Sequence, residues 1–205
     1  MFKFTALSAL LFATSILASA PATAAPLFFD DFTQEAYGTN TALDNWTISD
    51  GTIDVVGDPG FFAGLCTGGP SPDKCVDLDG SSFDAGRITS TGIALEPGTY
   101  EFSFWLKGNS RGGSADTVRM IVETGVTAGE SFTLDPVDAW QQYTRLFTLQ
   151  SAQTVNLVFD HSGGDNIGIL LDNVSLSTVP EPATLCLFGL ALAGACARRR
   201  RSPRR

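Results

Sequence analysis

Away from its ends, this 205-residue chain is short of positive charge. Residues 25 to 180 hold six basic side chains, Lys74, Arg87, Lys107, Arg111, Arg119 and Arg145, against 21 acids, a formal charge of −15. That excludes nucleic acid as a partner, because phosphate binding needs clustered Lys and Arg. His161 is the one histidine. No apolar stripe at helical spacing runs through the body, so helices are not expected there. There is no internal repeat, and no EF-hand spacing occurs among the acids. Cysteine is sparse too. Cys186 and Cys196 fall in an apolar run near the C-terminus, where Cys behaves as a small hydrophobe, and only Cys66 and Cys75 lie in the body.

The two ends carry what the body lacks. At the N-terminus Lys3 precedes an apolar or small stretch from Ala6 to Ala20, and Ala22-Thr-Ala24 fits an A-x-A cleavage site. Residues 1–24 therefore read as a secretory signal peptide, which implies Sec export machinery and a signal peptidase as partners. At the other end Val179-Pro-Glu-Pro182 is followed by an uncharged run from Ala183 to Ala197, then by Arg198, Arg199, Arg200, Arg201, Arg204 and Arg205. Two prolines around Glu181 forbid helix or sheet, leaving an extended, protease-accessible peptide. Fifteen helical residues reach about 22 Å, short of roughly 30 Å of hydrocarbon. The arginines stay on the cytoplasmic side of an inner membrane, so the body belongs on the other side.

This ordered triple over 179–205 resembles the PEP-CTERM sorting signal: a Pro-Glu-Pro motif, a short transmembrane helix and an arginine cluster. The resemblance implies an exosortase as partner, with Pro180, Glu181 and Pro182 as the sorting and cleavage element and Arg198 to Arg201 as the membrane stop. It implies a destination at the cell envelope, cell surface or extracellular matrix. A plain C-terminal anchor is the alternative. Export also bears on the cysteines. In an oxidising compartment, Cys66 and Cys75 around a Gly/Pro loop read as a disulfide; a zinc site wants four ligands at shorter spacing.

Between the ends, period-two patterns dominate. Strands are expected at 27–32, 46–49, 52–56, 75–78, 87–91, 99–107, 117–124, 131–134, 143–150, 154–160 and 167–177. Asp50-Gly51 reads as a hairpin turn between the second and third of these, and Gly108 to Ser114 as another turn. In 99–107, Tyr100, Phe102, Phe104 and Leu106 face one way, while Glu101, Ser103, Trp105 and Lys107 face the other. Many short strands separated by turn residues predict an all-β antiparallel sandwich over 25–178. Trp140-Gln-Gln-Tyr143, Val155-Asn-Leu-Val-Phe159 and Gly168-Ile-Leu-Leu-Asp-Asn-Val-Ser-Leu176 look like the closing strands of galactose-binding-like jelly rolls, a group that includes many carbohydrate-binding modules. Gly51-Thr-Ile-Asp-Val55, Val76-Asp-Leu-Asp-Gly80 and Gly98-Thr-Tyr-Glu-Phe-Ser-Phe104 are similar to bodies that accompany PEP-CTERM tails.

That second resemblance implies a structural Ca²⁺ between the first and last strands, at Asp30 or Asp31 and Asp172. The chain has Phe29-Asp-Asp-Phe32 where many sugar-binding relatives have glycine-x-phenylalanine-glutamate, and amide capping by the same acids is the competing expectation. Trp105, among polar neighbours on its strand face, is the candidate ligand-binding aromatic, against packing under the loop at 57–72. Gly108-Asn-Ser-Arg-Gly112 matches the G-x-S-x-G elbow, and Asp138 and His161 follow in triad order. The elbow needs a helix after it, and 116–123 alternates as a strand, so no catalytic residue is expected and His161 is expected on a surface loop. The leading expectation is a non-enzymatic, exported envelope or matrix protein that binds extracellular polysaccharide. A structural or adhesive surface protein without a specific ligand comes next, and a secreted hydrolase last.

Overall fold

The computed structural model describes residues 25–71, 73–124 and 129–180. The expected signal peptide, and the sorting tail from Glu181 onward, lie outside the described residues. One compact unit runs from Ala24 to Val179. It contains β1 (Phe28–Asp30), β2 (Trp46–Ser49), β3 (Asp54–Gly57), β4 (Lys74–Asp77), β5 (Arg87–Ser90), β6 (Ile93–Leu95), β7 (Gly98–Lys107), β8 (Asp116–Glu123), β9 (Glu130–Leu134), β10 (Gln141–Leu149), β11 (Gln153–Ser162) and β12 (Leu170–Thr178).

The strands form two sheets. The first has the order β10-β7-β12-β4-β3, with β1 also on β12; the second has the order β2-β5-β11-β8-β9, with β6 also on β11. All pairings between these strands are antiparallel. The result is an antiparallel β-sandwich.

Alternation makes the core. Tyr100, Phe102, Phe104 and Leu106 of β7 are buried between the sheets, and Val155, Leu157 and Phe159 of β11 meet them from the other side. The rings of Phe102 and Phe104 lie 6.0 and 5.1 Å from Phe159, and Trp46 of β2 lies 6.1 Å from it. Each such ring, once buried, contributes about 1.5–3 kcal/mol of hydrophobic stabilisation. A smaller apolar cluster sits on the outer face of the first sheet, where Val56, Leu65, Cys66, Cys75 and Leu170 pack with Trp140.

Two turns differ from their sequence expectation. Asp50 and Gly51 do adopt positive φ, 52° and 121°. They do not close a hairpin: β2 pairs with β5 in the second sheet and β3 with β4 in the first. The turn carries the chain from one sheet to the other, because the buried faces of β2 and β3 line opposite walls of one core. A side chain at Gly51 would meet the Ala85 carbonyl oxygen at 2.3 Å, so the turn is also packed. The stretch from Gly108 to Ser114 likewise links β7 in the first sheet to β8 in the second, a crossover rather than a hairpin. A Cβ at Gly108 would lie 1.8 Å from the Asp135 carbonyl oxygen, and only glycine fits there.

Candidate functional site

The outer face of the first sheet is where the chain presents chemistry. Trp105 lies on that face of β7, half-buried, with Gln142 of β10 on one side and Asp172 of β12 on the other. One step along, Ser103 stands between Thr144 and Ser175, and Ser175 is opposite the half-exposed Phe29 of β1. Paired residues in a sheet share a face about 5 Å apart. An indole, a phenyl ring, an amide and several hydroxyls thus share one surface.

A loop bounds that surface at the end of β7. Cys66 and Cys75 form a disulfide that closes it onto β4. Lys107 donates from Nζ to the Leu65 carbonyl at 2.6 Å, and Trp140 donates from Nε1 to the Cys66 carbonyl at 3.2 Å. Burial pushes the Lys107 ammonium below its ordinary pKa. The far end of the loop is tied to β12: the Ser71 amide donates to Asp172 Oδ2 at 2.9 Å, and Ser71 Oγ bonds Asn173 Oδ1 at 2.9 Å. Trp105 therefore lies between two residues tied to this loop, Lys107 on its own strand and Asp172 on β12. On the loop's other side a cleft of about 350 Å³ is lined by Phe62 to Leu65, Ser110 and Arg111.

The three calcium candidates do not form one ligand set. Asp30 turns into the core, where Oδ1 accepts from the Phe32 amide at 2.9 Å and Oδ2 from Trp46 Nε1 at 2.9 Å and Asn45 Nδ2 at 3.2 Å. Asp31 caps its own turn, accepting from the Thr33 amide and hydroxyl at 3.1 and 2.7 Å. Asp172 accepts from the Ser71 amide and, through Oδ1, from the Asn173 amide at 2.7 Å. Burial pushes the Asp172 carboxyl up to about 7, with the charge of Asp31 adding to the rise. Asp31 and Asp172 thus interact, while Asp30 is spent on Trp46. Among the described residues no three carboxylate, imidazole or thiol groups are gathered to hold a metal ion. The donors present fit amide capping better than a hard cation that wants six to eight oxygens.

The motif at Gly108–Gly112 is used structurally. Asn109 is buried and donates from Nδ2 to Asp77 Oδ2 at 2.9 Å and to the Gly168 carbonyl at 3.0 Å. Arg111 also bonds Asp77 Oδ2 and donates to the Asn166 carbonyl at 2.6 Å, while its guanidinium lies 4.1 Å above the Phe62 ring. Asp77 Oδ1 accepts from the amides of Asp79 and Gly168. Burial raises the Asp77 carboxyl to about 7 in spite of Arg111.

His161 corrects an expectation. It is 5% exposed rather than on a surface loop, and its Nε2 accepts from the Ile169 amide at 3.1 Å. That bond takes the nitrogen a triad base would turn to Ser110. Nδ1 consequently carries the proton, and burial lowers the imidazole pKa to about 4. Nearby, Asp79 Oδ2 accepts from the amides of Gly164 and Asp165 at 2.7 and 3.1 Å. Asp77, Asp79 and His161 together fasten the β11–β12 loop. Sequence reasoning missed this cluster, since its only signal was Asp77-x-Asp79 before a glycine.

A family model described as the PEP-CTERM protein-sorting motif matches residues 178–201, which include Pro180, Glu181, Pro182 and Arg198 to Arg201. No curated protein matches the chain. Among solved structures, the K1 cleaved adhesin domain of Lys-gingipain from Porphyromonas gingivalis W83 is similar at 15% identity and TM-score 0.50, covering 75% of this chain and 98% of that one. The K3 cleaved adhesin domain of the same protein is similar at 14% identity and TM-score 0.51, covering 77% and 100%. The CBM22-1 xylan-binding domain of Xyn10C from Paenibacillus barcinonensis aligns at 15% identity and TM-score 0.46, covering 80% and 100%. The adhesin-domain likeness shows a shared fold. The matched motif marks an exported chain processed by exosortase.

Proposed function

We propose that this chain, a β-sandwich carrying a PEP-CTERM sorting motif, is a non-enzymatic envelope or matrix protein whose body binds extracellular polysaccharide on the face around Trp105. The sorting motif at 178–201 is the observation that carries the location. In this reading a signal peptide directs export, the apolar tail holds the chain in the inner membrane, and exosortase cuts near Pro180 to Pro182. For the ligand, support comes from the face itself. Trp105 and Phe29 offer flat apolar surfaces for the carbon-bound hydrogens of sugar rings, and Gln142, Ser103 and Ser175 offer hydrogen bonds beside them. The acidic body favours a neutral or cationic polymer over an acidic one.

The test is a panel of immobilised polysaccharides probed with the processed chain and with Trp105→Ala. Retention on a neutral glycan that Trp105→Ala abolishes supports the reading. No retention on any glycan leaves the second reading, a structural or adhesive surface protein without a specific ligand, which the likeness to adhesin domains favours. A hydrolase is the weakest reading, because the His161 Nε2 is bound to a backbone amide.

A further inference from the structure

The first sheet ends in β10, which pairs with β7 through nine consecutive residue pairs, Gln141–Leu149 against Gly98–Leu106, with no bulge. Its other side has no strand partner among the described residues. A long regular edge is a template for strand addition, and proteins usually blunt it with lysine, proline, a bulge or a cover. The β10 sequence, QQYTRLFTL, contains no lysine and no proline. Its single charge, Arg145, is engaged with Glu130 of β9 and with the Thr144 carbonyl. The other edges are handled differently. β3 is four residues long and is covered by Gly38, which exchanges backbone hydrogen bonds with Val55 at 3.1 and 2.9 Å. β2 and β9 run four and five residues. The middle of β10 also places a large apolar side chain in solvent: Leu146 is 64% exposed, on the outer face opposite Glu101.

We propose that the β10 edge is a self-association surface, where a second copy of this chain pairs antiparallel so that the two first sheets become continuous. The cross-strand chemistry selects the register. Centred on Arg145, the two guanidinium groups face one another, which is destabilising. Centred on Thr144, Leu146 faces Gln142 of the second copy. Centred on Leu146, the two leucines meet on the two-fold axis, Thr144 faces Thr148, and Arg145 faces Phe147. Apolar pairs, threonine pairs and cation–aromatic pairs are each favourable across strands. Of these three registers, this one pairs the exposed leucine with an apolar side chain. Both copies carry −15, so long-range repulsion opposes pairing and salt relieves it.

The experiment is sedimentation equilibrium of the processed chain purified from an exporting host, at low and high salt, beside Leu146→Lys and Leu146→Cys. A dimer that tightens with salt is expected. Leu146→Lys sets two ammonium groups on the axis and weakens it about tenfold or more. The side chain at 146 is exposed, so an unchanged melting temperature verifies that this variant is folded. Leu146→Cys forms a disulfide-linked dimer under mild oxidation, whereas Ser103→Cys, on the same face but on an interior strand, does not. A monomer at every concentration and salt overturns the proposal, as does a dimer indifferent to Leu146→Lys or a Leu146→Cys chain that fails to cross-link. Capture of β10 by an extended peptide of another protein, with this chain monomeric alone, also overturns it.

Discussion

His161 shows how one side chain sets a pH response. Its pKa falls from 6.5 unfolded to about 4 folded, so the unfolded chain binds the extra proton first. Stability from this group is intact above about pH 6.5 and is lost as pH falls toward 4, by roughly 3 kcal/mol at the limit. Asp77 and Asp172 act with the opposite sign. Each is raised to about 7, so each adds stability as pH falls from about 7 toward the ordinary carboxylate range. The net profile mixes the two, but the difference between the native chain and His161→Gln isolates the histidine. Urea unfolding at pH 7, 6, 5 and 4 should show the native chain losing stability relative to the glutamine variant as the pH falls. At Asp77, substitution by Asn leaves the Arg111 charge without its carboxylate, and a loss of about 3 kcal/mol is expected in the same measurement well above pH 7, where the carboxyl is ionised. Trp105 contrasts with both. It is half-buried and lies outside the main core, so Trp105→Ala should move the urea midpoint little while removing glycan retention.

Elements are secured by groups distant in sequence. The loop between β3 and β4 depends on Lys107, Trp140 and Ser71 as well as its disulfide. A disulfide of sequence separation 9 constrains the unfolded chain by about 2–3 kcal/mol. Replacing both Cys66 and Cys75 by Ala should lower stability by that amount, and limited proteolysis should cut first within 57–73. The bonds from Ser71 of this loop to Asp172 and Asn173 of β12 bear on calcium. Since Asp30 and Asp172 are capped by amides and the Trp46 indole, the melting temperature should be the same with calcium and with chelator. A drop on chelation that Asp172→Asn removes would restore the ion as the tie between the sheet's ends.

For the whole molecule, processing is the deciding event. Mass spectrometry of the mature chain from a host with exosortase should find the C-terminus near Pro180 to Pro182, with Arg198 to Arg205 gone. A mature chain that keeps Arg205 would make the tail a plain anchor. The −15 body then lies outside the membrane, where its charge favours solubility and weakens contact with acidic polymers or anionic lipid.

Local chemistry was legible because it is written in neighbouring residues. The sorting triple is a linear motif, so sequence alone determined it. Strand alternation in β7, with Tyr100, Phe102, Phe104 and Leu106 inward, depends only on the two-residue period of a strand, and the cysteine pair follows from compartment and a short separation. Sheet membership was not legible. A positive-φ turn at Asp50-Gly51 serves a hairpin or a sheet crossing equally well, and the choice lay with β4 and β5, which offered β3 and β2 longer-range partners on opposite walls of the core. His161 was misplaced for the same reason. Its burial depends on Ile169 and the Asp77–Asp79 segment folding over it, contacts between residues far apart in the chain. Of Asp30 and Asp31, the alternatives read beside Asp172, the strand sends Asp30 to the core against Trp46 and leaves Asp31 on the outside near Asp172, a division that alternation alone could not assign.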